Sequence, residues 1–77
     1  MTTLRYGLVD RANVTLTIYD IIGKRVRTFD RGEEESGIKS LVWNGTDDHG
    51  KPLSAGIYLI QLQTGNFTQT RKMILLK

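Results

Sequence analysis

Hydrophobic and polar positions alternate most regularly between residues 14 and 19. There Val14, Leu16 and Ile18 interleave with Thr15, Thr17 and Tyr19. A period of two built from β-branched and aromatic residues predicts a strand with one face in the core. Residues 4–9 predict a shorter edge strand before it, and residues 10–13 a turn between the two. After Tyr19, Asp20-Ile21-Ile22-Gly23-Lys24 combines an aspartate that can bond the backbone ahead of it with a glycine free to take positive φ. That predicts a hairpin loop into a return strand over 25–29. Val26 and Phe29 are its expected buried residues, and their spacing of three requires a bulge or a bend. The polar, glycine-flanked stretch 30–37 predicts a loop whose Glu33, Glu34 and Glu35 are solvated.

The second half repeats the pattern. Residues 38–43 predict a strand with Leu41 and Trp43 on one face, the indole N–H seeking a carbonyl. A glycine-punctuated corner follows, Asn44-Gly45-Thr46-Asp47-Asp48-His49-Gly50-Lys51-Pro52, and delivers the chain into a strand over 57–64. Tyr58, Ile60 and Leu62 share a face of that strand. Gly65-Asn66 suits a two-residue primed turn into a last strand over 67–76. Met73-Ile74-Leu75-Leu76 is apolar on both faces, which predicts a central or covered position. Six to seven antiparallel strands with frequent turns and no helical period predict an all-β fold, a small immunoglobulin- or fibronectin-III-like β-sandwich.

With 77 residues there is room for one domain and one core, so residues 1–77 are expected to be a single unit. The absence of cysteine excludes disulfides, thiolate metal sites and cysteine nucleophiles, without fixing the compartment. The net charge of +3 comes from scattered residues and makes no dense basic stripe, so nucleic acid is not an expected partner. No apolar run approaches the ~20 residues of a membrane helix, and membrane insertion is not expected.

The corner holds the residues closest to chemistry. Asp47 and Asp48 invite a calcium loop, but the alternating ligand spacing is missing, and turn geometry explains the same residues. Whether the two aspartates hold a cation stays open. His49 beside them lacks a serine in any recognisable nucleophile elbow. No catalytic residue, cofactor site or metal site is assigned, and the chain is not expected to be an enzyme. At the far end, Arg71, Lys72 and Lys77 flank an apolar strand, whose edge could be read by a partner through strand addition and charge. A plain terminal strand with solubilising flanks fits equally well.

Four segments carry a family resemblance. Val14-Thr15-Leu16-Thr17-Ile18-Tyr19-Asp20-Ile21-Ile22-Gly23-Lys24-Arg25-Val26 resembles the opening "V-x-L-x-I-Y-D-x-x-G-R-x-V" of C-terminal sorting domains of the type IX secretion system. Residues 37–45 resemble their "G-x-h-x-h-x-W-x-G" with Lys39 at the first h position, residues 47–58 match their "D-x-x-G-x-x-h-x-x-G-x-Y", and residues 70–77 their closing "x-x-K-h-h-h-h-K", where h is hydrophobic. The same segments resemble the Ig-like domain of flagellar hook-capping proteins, which shares "W-x-G-x-D-x-x-G-x-x-h-x-x-G-x-Y". The match at the lysine-terminated end favours the sorting family. Asn44 departs from the aspartate many relatives carry.

The sorting resemblance implies a non-catalytic export signal at the C-terminus of a longer secreted cargo protein. The outer-membrane secretion machinery and a sortase would recognise it, and its destination would be the exterior or the cell surface. It makes Trp43, Gly45, Asp47, Gly50, Gly56 and Tyr58 structural motif residues, and Lys72 and Lys77 the expected partner contacts. Two other functions remain in play. One is a structural assembly module of the hook-capping kind. The other is an adhesion or carbohydrate-binding module, which needs Trp43, Tyr6, Tyr19 and Phe67 on one surface.

Overall fold

The computed structural model describes residues 2–65 and 67–76. Six strands follow one another: β1 Thr2–Leu8, β2 Ala12–Tyr19, β3 Arg25–Glu34, β4 Gly37–Trp43, β5 Gly56–Thr64 and β6 Phe67–Leu75. They form two antiparallel sheets, β1-β4 and β3-β2-β5-β6, and no helix occurs among the described residues. This is the expected small all-β, Ig-like sandwich.

The alternation of β2 decides the layering. Val14, Leu16 and Ile18 are fully or almost fully buried and face Leu4, Tyr6 and Leu8 of β1 and Trp43 of β4. Two clusters result. Ile18, Trp43, Tyr58 and Leu75 pack with Leu4 at one end, and Val14, Leu16 and Leu62 pack with Tyr6 and Leu8 at the other. Phe29, Leu41 and Ile60 touch both and join them into one core. On the opposite face of the larger sheet, Thr28, Thr17, Gln61 and Thr70 lie abreast in one row across four strands. Thr17 is buried at the centre of that polar row.

Three expectations are corrected. Residues 30–34 are not a loop but the second half of β3, paired with β2 as far as Glu34↔Ala12. Arg11 bridges to Glu33 and Glu35, and the Tyr6 hydroxyl donates to Glu34, so partners distant in sequence hold this polar segment extended. The expected turn over 10–13 likewise shortens, because Ala12 and Asn13 already belong to β2. Finally, β6 is neither central nor covered: it is an edge strand, with Ile74 and Leu76 exposed. Leu75 is buried in the core and Met73 packs half-buried against it, while the alternate residues Ile74 and Leu76 face solvent along the exposed edge.

Other local predictions hold. The Asp20 carboxylate accepts the N–H groups of Ile22 (3.1 Å) and Lys24 (2.8 Å), with Gly23 at φ 89°. The spacing of Val26 and Phe29 is explained by a bulge, since Tyr19 pairs with Arg25 but Ile18 with Arg27. A second bulge leaves Arg31 unpaired between Asp30 and Gly32. The pairing Thr64↔Phe67 leaves two residues to turn the last hairpin; Asn66 lies outside the described residues.

Candidate functional site

The corner between β4 and β5 is built from the tryptophan outward. Trp43 is fully buried, and its indole Nε1–H donates to the Thr46 carbonyl at 2.9 Å, tying the ring to the turn it precedes. Tyr58 meets it edge-on, with ring centroids 5.6 Å apart at 79°. The Tyr58 hydroxyl then donates to the Ser54 carbonyl at 2.6 Å, which closes the corner from the β5 side. Gly45 sits beneath at φ 77°, in a left-handed conformation that side chains resist. A Cβ there would lie 3.2 and 3.3 Å from the Leu75 methyl carbons, so the corner packs directly on β6. Gly50 also has positive φ, 81°, and Gly56 enters β5 opposite Leu75.

The acidic residues serve the backbone. Asn44 Oδ1 accepts from the Thr46 hydroxyl at 2.6 Å and from its N–H at 3.3 Å. Asp47 Oδ1 accepts from the N–H groups of His49 and Lys51, both at 2.9 Å, while Lys51 O accepts from Asp47 N–H. The Lys51 amide bond is the main influence holding the Asp47 carboxyl below the usual aspartate range, with the His49 amide helping and partial desolvation opposing. Asp48 turns the other way. Its N–H donates to the Val26 carbonyl at 3.0 Å, and its Oδ1 accepts from the Thr28 N–H at 3.0 Å. The pair therefore points apart, one carboxylate into the turn and one onto β3. No three of His, Cys, Asp and Glu converge as a metal set among the described residues.

Arg27 is the residue the sequence reading passed over. Its Nη1 donates to the Asp47 carbonyl at 2.8 Å and approaches Thr46 Oγ1 at 3.4 Å, while its guanidinium carbon stands 4.7 Å above the Phe29 ring centre. It clamps the corner to β3. The only sequence signal is the Arg27-Thr28-Phe29 spacing, which places cation and ring on one face of a strand.

A second polar cluster joins β1, β3 and β4. Tyr6 donates to Glu34, Arg31 Nη2 lies 3.4 Å from Glu34 Oε2, and the same nitrogen reaches the Ser40 carbonyl at 3.4 Å. Burial, and then the bond to Glu34, push the Tyr6 hydroxyl above its ordinary pKa. The cluster fastens the two sheets at the end away from Trp43.

The expected partner residues lie apart from this corner. Arg71 and Lys72 are exposed in the middle of β6, opposite Ile60 and Leu59. Lys77 lies outside the described residues. The aromatic platform required for carbohydrate does not form: Trp43 and Tyr6 are buried on the inner faces, Tyr19 is half-buried with its hydroxyl 3.4 Å from Gln61 Oε1, and Phe67 is exposed at the opposite end of the molecule from Trp43.

Among solved structures the chain is similar to FlgD from P. aeruginosa, with 26% identity and a TM-score of 0.77. The likeness covers 94% of this chain and 55% of that one, so the chain spans about half the length of this relative. No curated protein matches the chain significantly. The FlgD Ig-like domain family matches residues 2–67. This overturns the expectation of a type IX secretion sorting signal, since both matches fall on the flagellar side of the shared motif. The shared segments from Val14 to Tyr58 lie inside the matched region, whereas the lysine-rich close at 70–77, which tipped the choice towards sorting, lies beyond it. By the family match over most of its length, the chain belongs to the FlgD Ig-like domain family.

Proposed function

We propose that the chain is a non-catalytic structural module of a flagellar hook-capping protein, acting by presenting rigid β surfaces to protein partners during assembly. The observation that carries this is the FlgD Ig-like match over residues 2–67, together with the shared fold with P. aeruginosa FlgD. The corner chemistry agrees with it. Asp47 and Asp48 accept backbone amides, and the Trp43–Tyr58 pair is buried as scaffold, which is a use of polar and aromatic residues for rigidity.

The test is an in-frame deletion of residues 2–76 from the parent gene in its flagellated host, with immunoblotting to verify that the shortened product accumulates. Hook assembly is scored by electron microscopy of isolated basal bodies. Absent or irregular hooks are the expected result. Hooks of normal number and length would overturn the assignment.

A further inference from the structure

The larger sheet has two outer edges, and they are finished differently. On β3 the ladder is broken by two bulges, and the corner covers the outer backbone, with Asp48 bonded to both Val26 O and Thr28 N. Such bulges and covers are how proteins keep foreign strands off an edge. β6 has neither. It pairs with β5 through nine consecutive residues without a register shift. Among the described residues, no hydrogen bond joins it to anything but β5.

The strand across from β6 is also half unpaired. β1 pairs only with β4, and β1 and β6 form opposite walls of one cleft of about 170 Å³. Its floor is apolar, from Leu4, Leu16, Ile60 and Leu62. A second groove continues past Val9 and Phe67, and Gln69 and Arg71 line both parts. The cause lies in β6 itself. Leu75, Met73, Arg71 and Gln69 share its inner face, but only Leu75 is buried, because the two-stranded sheet does not extend over the rest.

Charge then selects the occupant. Arg5, Arg71 and Lys72 line the cleft, and none has a carboxylate partner among the described residues. The glutamates are engaged elsewhere, with Arg11, Arg31 and Tyr6. A second copy of the chain is a poor fit. Antiparallel pairing of two β6 edges about their centre sets Arg71 opposite Arg71, and slips of one or two towards the C-terminal end set Arg71 opposite Lys72 and Lys72 opposite Lys72. Slips the other way separate the cations only by leaving the apolar end at Ile74 and Leu75 unpaired. Nucleic acid is poorly served too, since among the described residues Phe67 is the one exposed aromatic lining the grooves, too few for a stacking platform. A row of free backbone donors and acceptors instead complements an extended peptide.

We propose that the β1–β6 seam receives an extended acidic segment of a partner protein, which adds to the free edge of β6 as a fifth strand. Side chains on the inner side of that segment enter the apolar cleft beside Arg71, which shares that face of β6, and carboxylates on its outer side meet Lys72, with Arg5 at the rim of the cleft. The cations that repel like strands thereby choose an anionic one. The proposal stands on the geometry of the seam and holds whichever assembly the module serves.

The experiment uses the 77-residue chain and three labelled probes: a capped decapeptide alternating valine and glutamate, its valine–lysine counterpart, and a single-stranded oligothymidylate. Fluorescence anisotropy measures binding, and amide exchange followed by NMR locates it. The glutamate peptide is expected to bind, to protect amides of β6, and to weaken at high salt. In the double variant Arg71→Glu/Lys72→Glu its affinity should fall about tenfold or more, while the lysine peptide gains, a swap that loss of folding cannot produce. Equal binding of the two peptides, protection at β3 instead of β6, or tighter binding of the oligonucleotide at the seam would overturn the proposal. So would dimerisation through β6 in sedimentation equilibrium, which would make a second copy the occupant.

Discussion

At the scale of single residues, the corner is most sensitive where backbone strain and packing coincide. Gly45 and Gly50 have nearly the same φ, 77° and 81°, but only Gly45 faces a side chain, the methyl groups of Leu75 at 3.2 and 3.3 Å. Alanine at Gly50 meets nothing within 4 Å and costs only the left-handed backbone, about 1–2 kcal/mol. Alanine at Gly45 adds crowding against a residue that is itself 2% exposed and has little room to retreat, about 1–3 kcal/mol more. Urea denaturation should therefore rank Gly45→Ala well below Gly50→Ala. Equal midpoints would show that Leu75 moves aside at no cost. The glycine requirement at both positions is legible in the sequence as turn chemistry. The Leu75 contact is not, because it joins positions thirty residues apart.

Among the elements, the corner is a turn that also protects a strand edge. Asp47 stabilises the turn through His49 N–H and Lys51 N–H, and Asp48 carries that order across to β3. The Asp47 carboxyl is held below its ordinary range chiefly by the Lys51 amide. A group whose folded pKa is depressed contributes fully above its unfolded value and loses that contribution as pH falls through the folded value. The melting-temperature gap between wild type and Asp47→Ala should thus be constant from neutral pH to about 4, the unfolded aspartate value, and narrow below it. A gap independent of pH down to 2 would show that the negative charge of Asp47 is irrelevant. Hairpins of this kind are legible because their turn chemistry is local, as with Asp20 and Gly23. The second half of β3 is not. Asp30, Arg31, Glu33 and Glu34 have the composition of a loop, and they become a strand by pairing with β2 and through Arg11, in the connection that precedes β2, and Tyr6 on β1. The position of β6 is hidden for a related reason. Four apolar residues in a row at 73–76 suit a covered strand, but strand order is set by which hairpin docks where, and here it leaves β6 outermost.

For the whole molecule, the question is whether two core clusters make one cooperative unit. Trp43, Ile18 and Leu75 anchor one, Leu16, Val14 and Leu62 the other, and Phe29, Leu41 and Ile60 belong to both. β2 runs through the two clusters, so neither can loosen without releasing a strand of the other. A domain of this size has a stability of about 5–15 kcal/mol at most, and removing a buried leucine side chain costs about 2–5 kcal/mol. Leu16 is 2% exposed and lies in the cluster that lacks the tryptophan, so Leu16→Ala makes a clean probe of coupling. Thermal unfolding of that variant should show Trp43 fluorescence and far-ultraviolet circular dichroism falling together, at a midpoint well below that of wild type. If the Trp43 signal instead held its wild-type midpoint while the dichroism fell early, the clusters would be separate units. The three shared residues would then be contacts without coupling. Coincident transitions would instead tie the corner at Trp43 to the far Tyr6 end and make the sandwich one cooperative unit.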